Sequence, residues 1–277
     1  MARKLSMAHL GCLNWAPPEA VYNAKSIGFD YVSLRIISMG LAGELDYDMR
    51  RHPELFRDTR RALEETGIKL HDIEVAKIDD GIDVSKYESA FDAGAELGAV
   101  SVITSIWNKN PEDGVKQLET ICDLAEKHGL FVGLEYVTWA SVWSMAQAAE
   151  IVKKLARPNL GILVDTLHAY RSRTTIEQIK ACDPKWFEFI HLCGGPLNIP
   201  ARDDIQTLVY NGRDARYFLT DPENGVPAAD YLKVMPENAV LSCELPNTAH
   251  SARVGTYEHE RMVFETTKEY LKLHGLA

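Results

Sequence analysis

FVGLE (131–135), LGILVD (160–165), FEFIH (187–191) and AVLSCE (239–244) are apolar runs of strand length, and each closes on a residue able to bind a metal: Glu135, Asp165, His191 and Glu244. Uninterrupted apolar runs suit strands buried on both faces, as in a parallel sheet. Acids and an imidazole at the last position of four such strands point to a barrel whose C-terminal rim carries the chemistry.

Upstream the pattern continues. Further strand-like runs at residues 5–10, 31–36, 69–75 and 100–105 bring the count to eight, and amphipathic stretches of helical period alternate with them. Pro17 and Pro18 open the first helix, Asn110 and Pro111 open the fourth, and Gly28, Gly67, Gly98 and Gly129 end successive helices. A helix ending in glycine and leading into a strand recurs as SIGFDYVSL, ETGIKLHDIEV, ELGAVSVITS and KHGLFVGLEY, at a spacing of 31 to 39 residues. That is the repeat of a βα unit. A doubly wound sheet alternates in the same way but places a Gly-rich phosphate turn after its first strand, where HLGCLNW stands here. The reading is therefore an α/β chain folded as a (β/α)8 TIM barrel, one domain over residues 1–277.

One unit is long. From His191 to Glu244 the chain runs 53 residues, and the excess is polar, rich in Gly and Pro, and carries Arg202, Arg213 and Arg216. This extended loop after strand seven belongs at the C-terminal face. Two readings stay open for it, a solvated surface excursion and a cover or oligomer contact over the site.

Composition narrows the function classes. A net charge of -10 repels phosphate backbones and anionic membranes, so nucleic acid is not an expected partner. No stretch approaches the roughly 18 apolar residues of a membrane span, and the N-terminus lacks an apolar core before polar residues and proline intervene, so the expected location is the cytoplasm. Five scattered cysteines without CxxC spacing suit reduced thiols.

Three carboxylates and one imidazole form a hard, oxygen-rich ligand set that suits one divalent ion, with Mn2+ favoured and Mg2+, Co2+ or Zn2+ also accommodated. Without a cation the three acids would repel one another. An ion chelating a ketone oxygen and its neighbouring hydroxyl stabilises an enediolate, and Glu135 and Glu244 then serve as base and acid on the two faces. The outcome is isomerisation or epimerisation of a polyhydroxy ketone. Expulsion of a β-hydroxyl from the same species makes the enzyme a lyase, the alternative reading.

The run from Glu135 to Glu244 (GLEYVTW, RPNLGILVDTLHAYRS, FIHL, LSCEL) resembles the xylose isomerase-like barrel superfamily of sugar phosphate isomerases and epimerases, a group that includes inosose isomerases, inosose dehydratases and ketose 3-epimerases. The resemblance implies Glu, Asp, His and Glu as metal ligands on strands five to eight, and all four positions match. It also implies, from Asp165-Thr166-Leu167-His168, that His168 contacts substrate oxygens. Ketose 3-epimerases add a Glu after the strand-five ligand and an Arg shortly after the strand-seven histidine; YVTWAS and LCGGPLN carry neither. Val137 and Cys193 likewise stand where dehydroshikimate dehydratases place His and Lys. Arg202 or Arg216 from the excursion is the candidate replacement cation, with Arg202 taken as a substrate contact.

His9, Arg35 and Trp107 complete the expected substrate contacts, as strand-end or rim residues facing a sugar or cyclitol. Glu74, Lys77, Trp15 and Trp139 lie near the same rim. An endonuclease on the same barrel would need more histidines at the strand ends and a basic rim, and both are missing. Family members associate through barrel helices, so a homo-oligomer is expected.

Overall fold

The computed structural model describes residues 3–39 and 44–277. In chain order, β1 (Leu5–Met7) leads through a 3-10 turn (His9–Cys12) into α1 (Pro17–Ile27), and β2 (Tyr31–Leu34) leads into α2 (Pro53–Thr66). β3 (Lys69–Ile78) is followed by a 3-10 turn (Val84–Tyr87) and α3 (Glu88–Glu96), and β4 (Ser101–Ile106) by α4 (Pro111–Lys127). Then come β5 (Phe131–Glu135), α5 (Met145–Leu155), β6 (Leu160–Asp165), α6 (Thr166–Arg171) and α7 (Ile176–Lys180). A 3-10 turn (Pro184–Trp186) precedes β7 (Phe189–Leu192), α8 (Ile205–Arg213), α9 (Ala228–Leu232), β8 (Val240–Cys243), α10 (Thr248–Val254) and α11 (Thr256–Leu273). All neighbouring strands pair in parallel and β8 closes on β1, giving the expected (β/α)8 barrel.

Local chemistry sets the element boundaries. Pro17, Pro53 and Pro111 begin helices, where the missing N–H is no loss. The Asn110, Asp165, Asp204 and Asn247 side chains accept from backbone N–H groups at the starts of α4, α6, α8 and α10. Gly28 and Gly67 end α1 and α2 at φ of 115° and 67°, a left-handed cap that a Cβ would strain. Gly161 answers a different need, since a Cβ there would stand 2.2 Å from the Trp186 carbonyl oxygen.

The principal apolar core lies between the strands and the surrounding helices. A separate cluster of Val75, Ile103, Leu163, Phe189 and Val240 fills the barrel. Leu163 and Phe189 stand two residues before Asp165 and His191, and the two-residue period of a strand puts each pair on the same face. The apolar cluster is thus the floor on which the metal-type residues rest, and its Val75 and Ile103 line the cavity above.

Two expected strand limits change. Pairing of β1 ends at Met7, and the chain turns into the 3-10 segment, so His9 lies on that turn and not in the strand. β3 runs on to Ile78, with a register shift between Ile73 and Ala76, and Lys77 therefore lies within the strand and not beyond its end. The excursion between β7 and β8 is folded on itself by bridges from Gly194 to Tyr217 and Pro196 to Asn224, and a third bridge, Ala215 to Asn247, ties it to the segment after β8.

Candidate metal centre

Glu135, Asp165 and His191 end or nearly end β5, β6 and β7, and Glu244 follows β8 directly with its N–H donating to the Leu192 carbonyl. One ligand atom from each of the four lies within 4.8 Å of the others. Bonds of about 2.0–2.3 Å to a shared ion place opposed donors at most about 4.6 Å apart, so the group needs only a slight contraction to hold one ion.

Two observations favour a cation there. Nε2 of buried His191 has no hydrogen-bond partner among the described residues, and its Nδ1 faces the carboxylates of Glu244 and Glu135. An orphaned buried imidazole is costly unless a lone pair is used, and metal ligation uses it. Like charges also crowd the site. Burial first, and then the Glu244 and Asp165 charges, raise the Glu135 pKa to about 7 against the opposing pull of His191. Burial acts against the Glu244 charge as well, but His191 and Arg216 outweigh it and hold that carboxyl well below its ordinary range.

Asp165 is fixed by three contacts. Its Oδ1 accepts from the Leu167 and His168 N–H groups at 2.7 and 3.0 Å, and its Oδ2 pairs with Arg216 Nη1 at 2.5 Å. The same carboxylate is therefore both the cap of α6 and a member of the cluster. His191 Nδ1 stands 3.3 Å from Glu244 Oε2 and 3.8 Å from Glu135 Oε1, between the two glutamates.

His168 is buried beside the cluster, and its tautomer can be assigned. The Thr138 N–H donates to His168 Nδ1 at 3.5 Å, and Thr138 Oγ1 lies 3.1 Å from the same nitrogen. Nδ1 is thus an acceptor, and the ring proton sits on Nε2. Burial pushes the His168 pKa down to about 4, which keeps the ring neutral. Trp139 packs against it edge-on at 4.9 Å.

The remaining expected contacts divide. Arg35 and Trp107 line the cavity. Arg35 Nη2 donates to Glu74 Oε2 at 3.0 Å, and Trp107 Nε1 donates to Ser105 Oγ at 2.8 Å. His9 is not among the lining residues, because both its nitrogens are engaged within the fold: Nδ1 accepts from the Arg35 N–H at 2.9 Å and Nε2 donates to the Trp15 carbonyl at 3.0 Å. His9 braces the backbone that carries Arg35. Arg202 also stays outside, stacked over Trp143 at 4.4 Å and donating to the Ala140 carbonyl.

Arg216 takes the place foreseen for Arg202. Its Nη1 contacts Asp165 Oδ2, the Cys193 thiol at 3.0 Å and the Glu244 carbonyl at 3.1 Å, its Nη2 stands 2.8 Å from Glu244 Oε2, and its Nε donates to the Gly212 carbonyl. Spacing in the sequence does not distinguish Arg216 from Arg202. What separates them is the return of the chain after α8, where Arg216 N–H donates to the Pro246 carbonyl. Glu74, on the inner face of β3, completes the polar wall.

An eight-stranded βα barrel with acids and a histidine converging above its floor places its chemistry at the C-terminal rim, as TIM-barrel enzymes do. The chain belongs to the xylose isomerase-like TIM barrel family, whose model matches residues 21–266. It is 31% identical over 83 residues to the inosose isomerase of Bacillus subtilis (29% of this chain, 30% of that one) and 26% identical over 119 residues to that of Bacillus velezensis (39% and 42%). These matches span less than half the length of either relative. Among solved structures, the IolI protein with a bound zinc atom superposes with a TM-score of 0.78 at 18% identity, covering 98% of this chain and 99% of the other. The D-allulose 3-epimerase of Methylomonas gives 0.68 at 15% (98% and 99%), and the probable 3-DHS dehydratase AsbF of Bacillus anthracis 0.69 at 17% (94% and 98%). At such identities these structures establish the fold. No helix among the described residues is long and apolar enough to cross a membrane.

Proposed function

We propose that the protein is a divalent-metal-dependent isomerase or epimerase of a polyhydroxy ketone, a keto-sugar or keto-inositol. The observation that carries this reading is the convergence of Glu135, Asp165, His191 and Glu244, with an imidazole whose Nε2 has no hydrogen-bond partner among the described residues. These four residues would hold the ion, which supplies polarisation of a carbonyl and so eases loss of a proton from the adjacent carbon.

The protein's own groups do the rest. Glu135 on β5 and Glu244 after β8 approach from different sides of the mouth with His191 between them. One can take a proton from a face of the substrate while the other returns a proton to the opposite face or the neighbouring carbon. His168 Nε2–H offers a fixed donor to a substrate oxygen, since Thr138 holds its other nitrogen. Trp107 and Trp139 present aromatic surface to the apolar face of a sugar ring. Arg216 neutralises Asp165 and Glu244, which lets acids crowd one buried place.

The test is proton exchange. Protein loaded with Mn2+ is incubated in D2O with keto-inositols, ketohexoses and 3-keto-glycosides, and deuterium uptake is followed by mass spectrometry. Uptake without loss of water is expected, and Glu135→Gln or Glu244→Gln should abolish it. Enone absorbance with release of water would assign a dehydratase instead. Absence of exchange across the panel with metal bound, or full exchange in either variant, would overturn the two-glutamate scheme.

A further inference from the structure

The cavity lined by Glu135, His191 and Glu244 is about 60 Å3. Pockets that hold small molecules run to on the order of 300–1,000 Å3, so most of a sugar must lie elsewhere. A second cavity of about 550 Å3 opens at the same end of the barrel, between the turn after β1 and the segment around α10. Leu10, Arg35 and Arg213 line both, and two guanidiniums therefore stand at the junction.

Neither is fully used by the fold. Arg35 is only 7% exposed; one of its nitrogens donates to Glu74, but its buried Nε has no partner among the described residues. Arg213, the last residue of α8, makes no side-chain hydrogen bond or ion pair among the described residues. The adjacent Asp214 faces the second cavity but accepts from Thr248 Oγ1 at 2.9 Å. Glu44 and Glu244 act on both arginines from farther away. Burial, and then repulsion from Arg35, lower the proton affinity of Arg213. An anion between the two would relieve that repulsion. Glu74 pairs with Arg35, which leaves Arg213 as the one of the two without a counter-ion among the described residues.

We propose that Arg35 and Arg213 form a subsite for an anionic substituent, a carboxylate or a phosphate, carried by the substrate away from its ketone end. The proposal rests on the reading of the metal cavity as the place of the ketone. Guanidinium forks match both anions with paired N–H donors, so the geometry serves either source.

Anion binding is measured without metal or turnover, which separates this proposal from the isomerase reading. Protein stripped over a chelating resin is titrated with inorganic phosphate and, separately, malonate by calorimetry. Saturable binding of at least one anion is expected, weakened roughly tenfold or more in Arg213→Gln and less in Arg213→Lys. Arg213 has no side-chain hydrogen bond or ion pair among the described residues, so an unchanged Tm should confirm that both variants are folded. In a second arm, metal-loaded protein is offered fructose and fructose 6-phosphate, and the phosphorylated ketose should bind more tightly, an advantage lost in Arg213→Gln. No saturable binding of either anion, equal binding by wild type and Arg213→Gln, or a preference for free fructose would each overturn the subsite. The last result would leave the ketone reading standing. Anion binding that persists where no ketone exchanges its proton would show the reverse.

Discussion

Replacing Arg216 by methionine removes a guanidinium that lies 2.5 Å from Asp165 and 2.8 Å from Glu244 while keeping much of its apolar stem. Both partners are buried, and deleting one member of a buried ion pair costs about 3–5 kcal/mol because the other charge is left uncompensated. With an unfolding entropy of about 2.1 cal/mol/K per residue, a chain of 277 residues converts that loss into a fall in Tm of roughly 5–9 °C. A divalent ion changes the comparison. The arginine charge competes with an ion for the same carboxylates, so the variant should bind Mn2+ more tightly, and each tenfold gain in affinity adds about 1.4 kcal/mol when metal is in excess. The gap in Tm between wild type and variant should therefore be largest in stripped protein and should narrow as Mn2+ is added. Scanning fluorimetry over a Mn2+ titration measures the gap, and the paramagnetic signal of free Mn2+ gives Kd independently. An unchanged Tm in stripped variant, or a variant that Mn2+ stabilises no more than wild type, would refute the competition.

Three other outcomes are expected. Burial raises the Glu260 pKa to about 8 from an ordinary 4.5, and its Oε1 has no partner beside the Gly11 backbone, with Cys12 and Cys243 as its titratable neighbours. The folded state thus keeps a proton that the unfolded chain releases, so stability should fall between pH 4.5 and 8 by up to about 1.4 kcal/mol per unit and then level off; urea unfolding of Glu260→Gln should show that slope removed. Gly161→Ala puts a methyl against the Trp186 carbonyl and the Phe131 ring and should cost on the order of 1–3 kcal/mol or more in the same assay. Arg202→Ala, outside the cavity, should leave deuterium exchange unchanged, and a large loss would mean that the excursion rearranges around substrate.

The barrel was readable because its evidence is local. Apolar runs such as LGILVD, glycine caps such as Gly67 and the repeat between them report a periodicity that the closed sheet then uses. The four-residue cluster was readable for the same reason, since parallel strands bring their last residues to one rim whatever the loops do. Contacts made by irregular chain were not. His9 falls in the apolar run 5–10, but the strand ends at Met7 and the turn that starts at His9 engages both its nitrogens. Choosing Arg216 over Arg202 required knowing that Ala215 bridges to Asn247, a pairing between two loops that no spacing encodes. β3 shifts register between Ile73 and Ala76, beside Glu74, and that irregularity is equally silent in composition.

The segment between β7 and β8 is pinned to the chain after β8 through Ala215 and Arg216, and it carries a cation into the acidic cluster. It behaves as a removable part with one indispensable plug. Grafting the corresponding stretch of another barrel here, as a route to new substrate range, would succeed only where the donor brings a positive group of equal reach. Otherwise the recipient's Asp165 and Glu244 would be stranded, and the chimera would depend on added metal simply to stay folded.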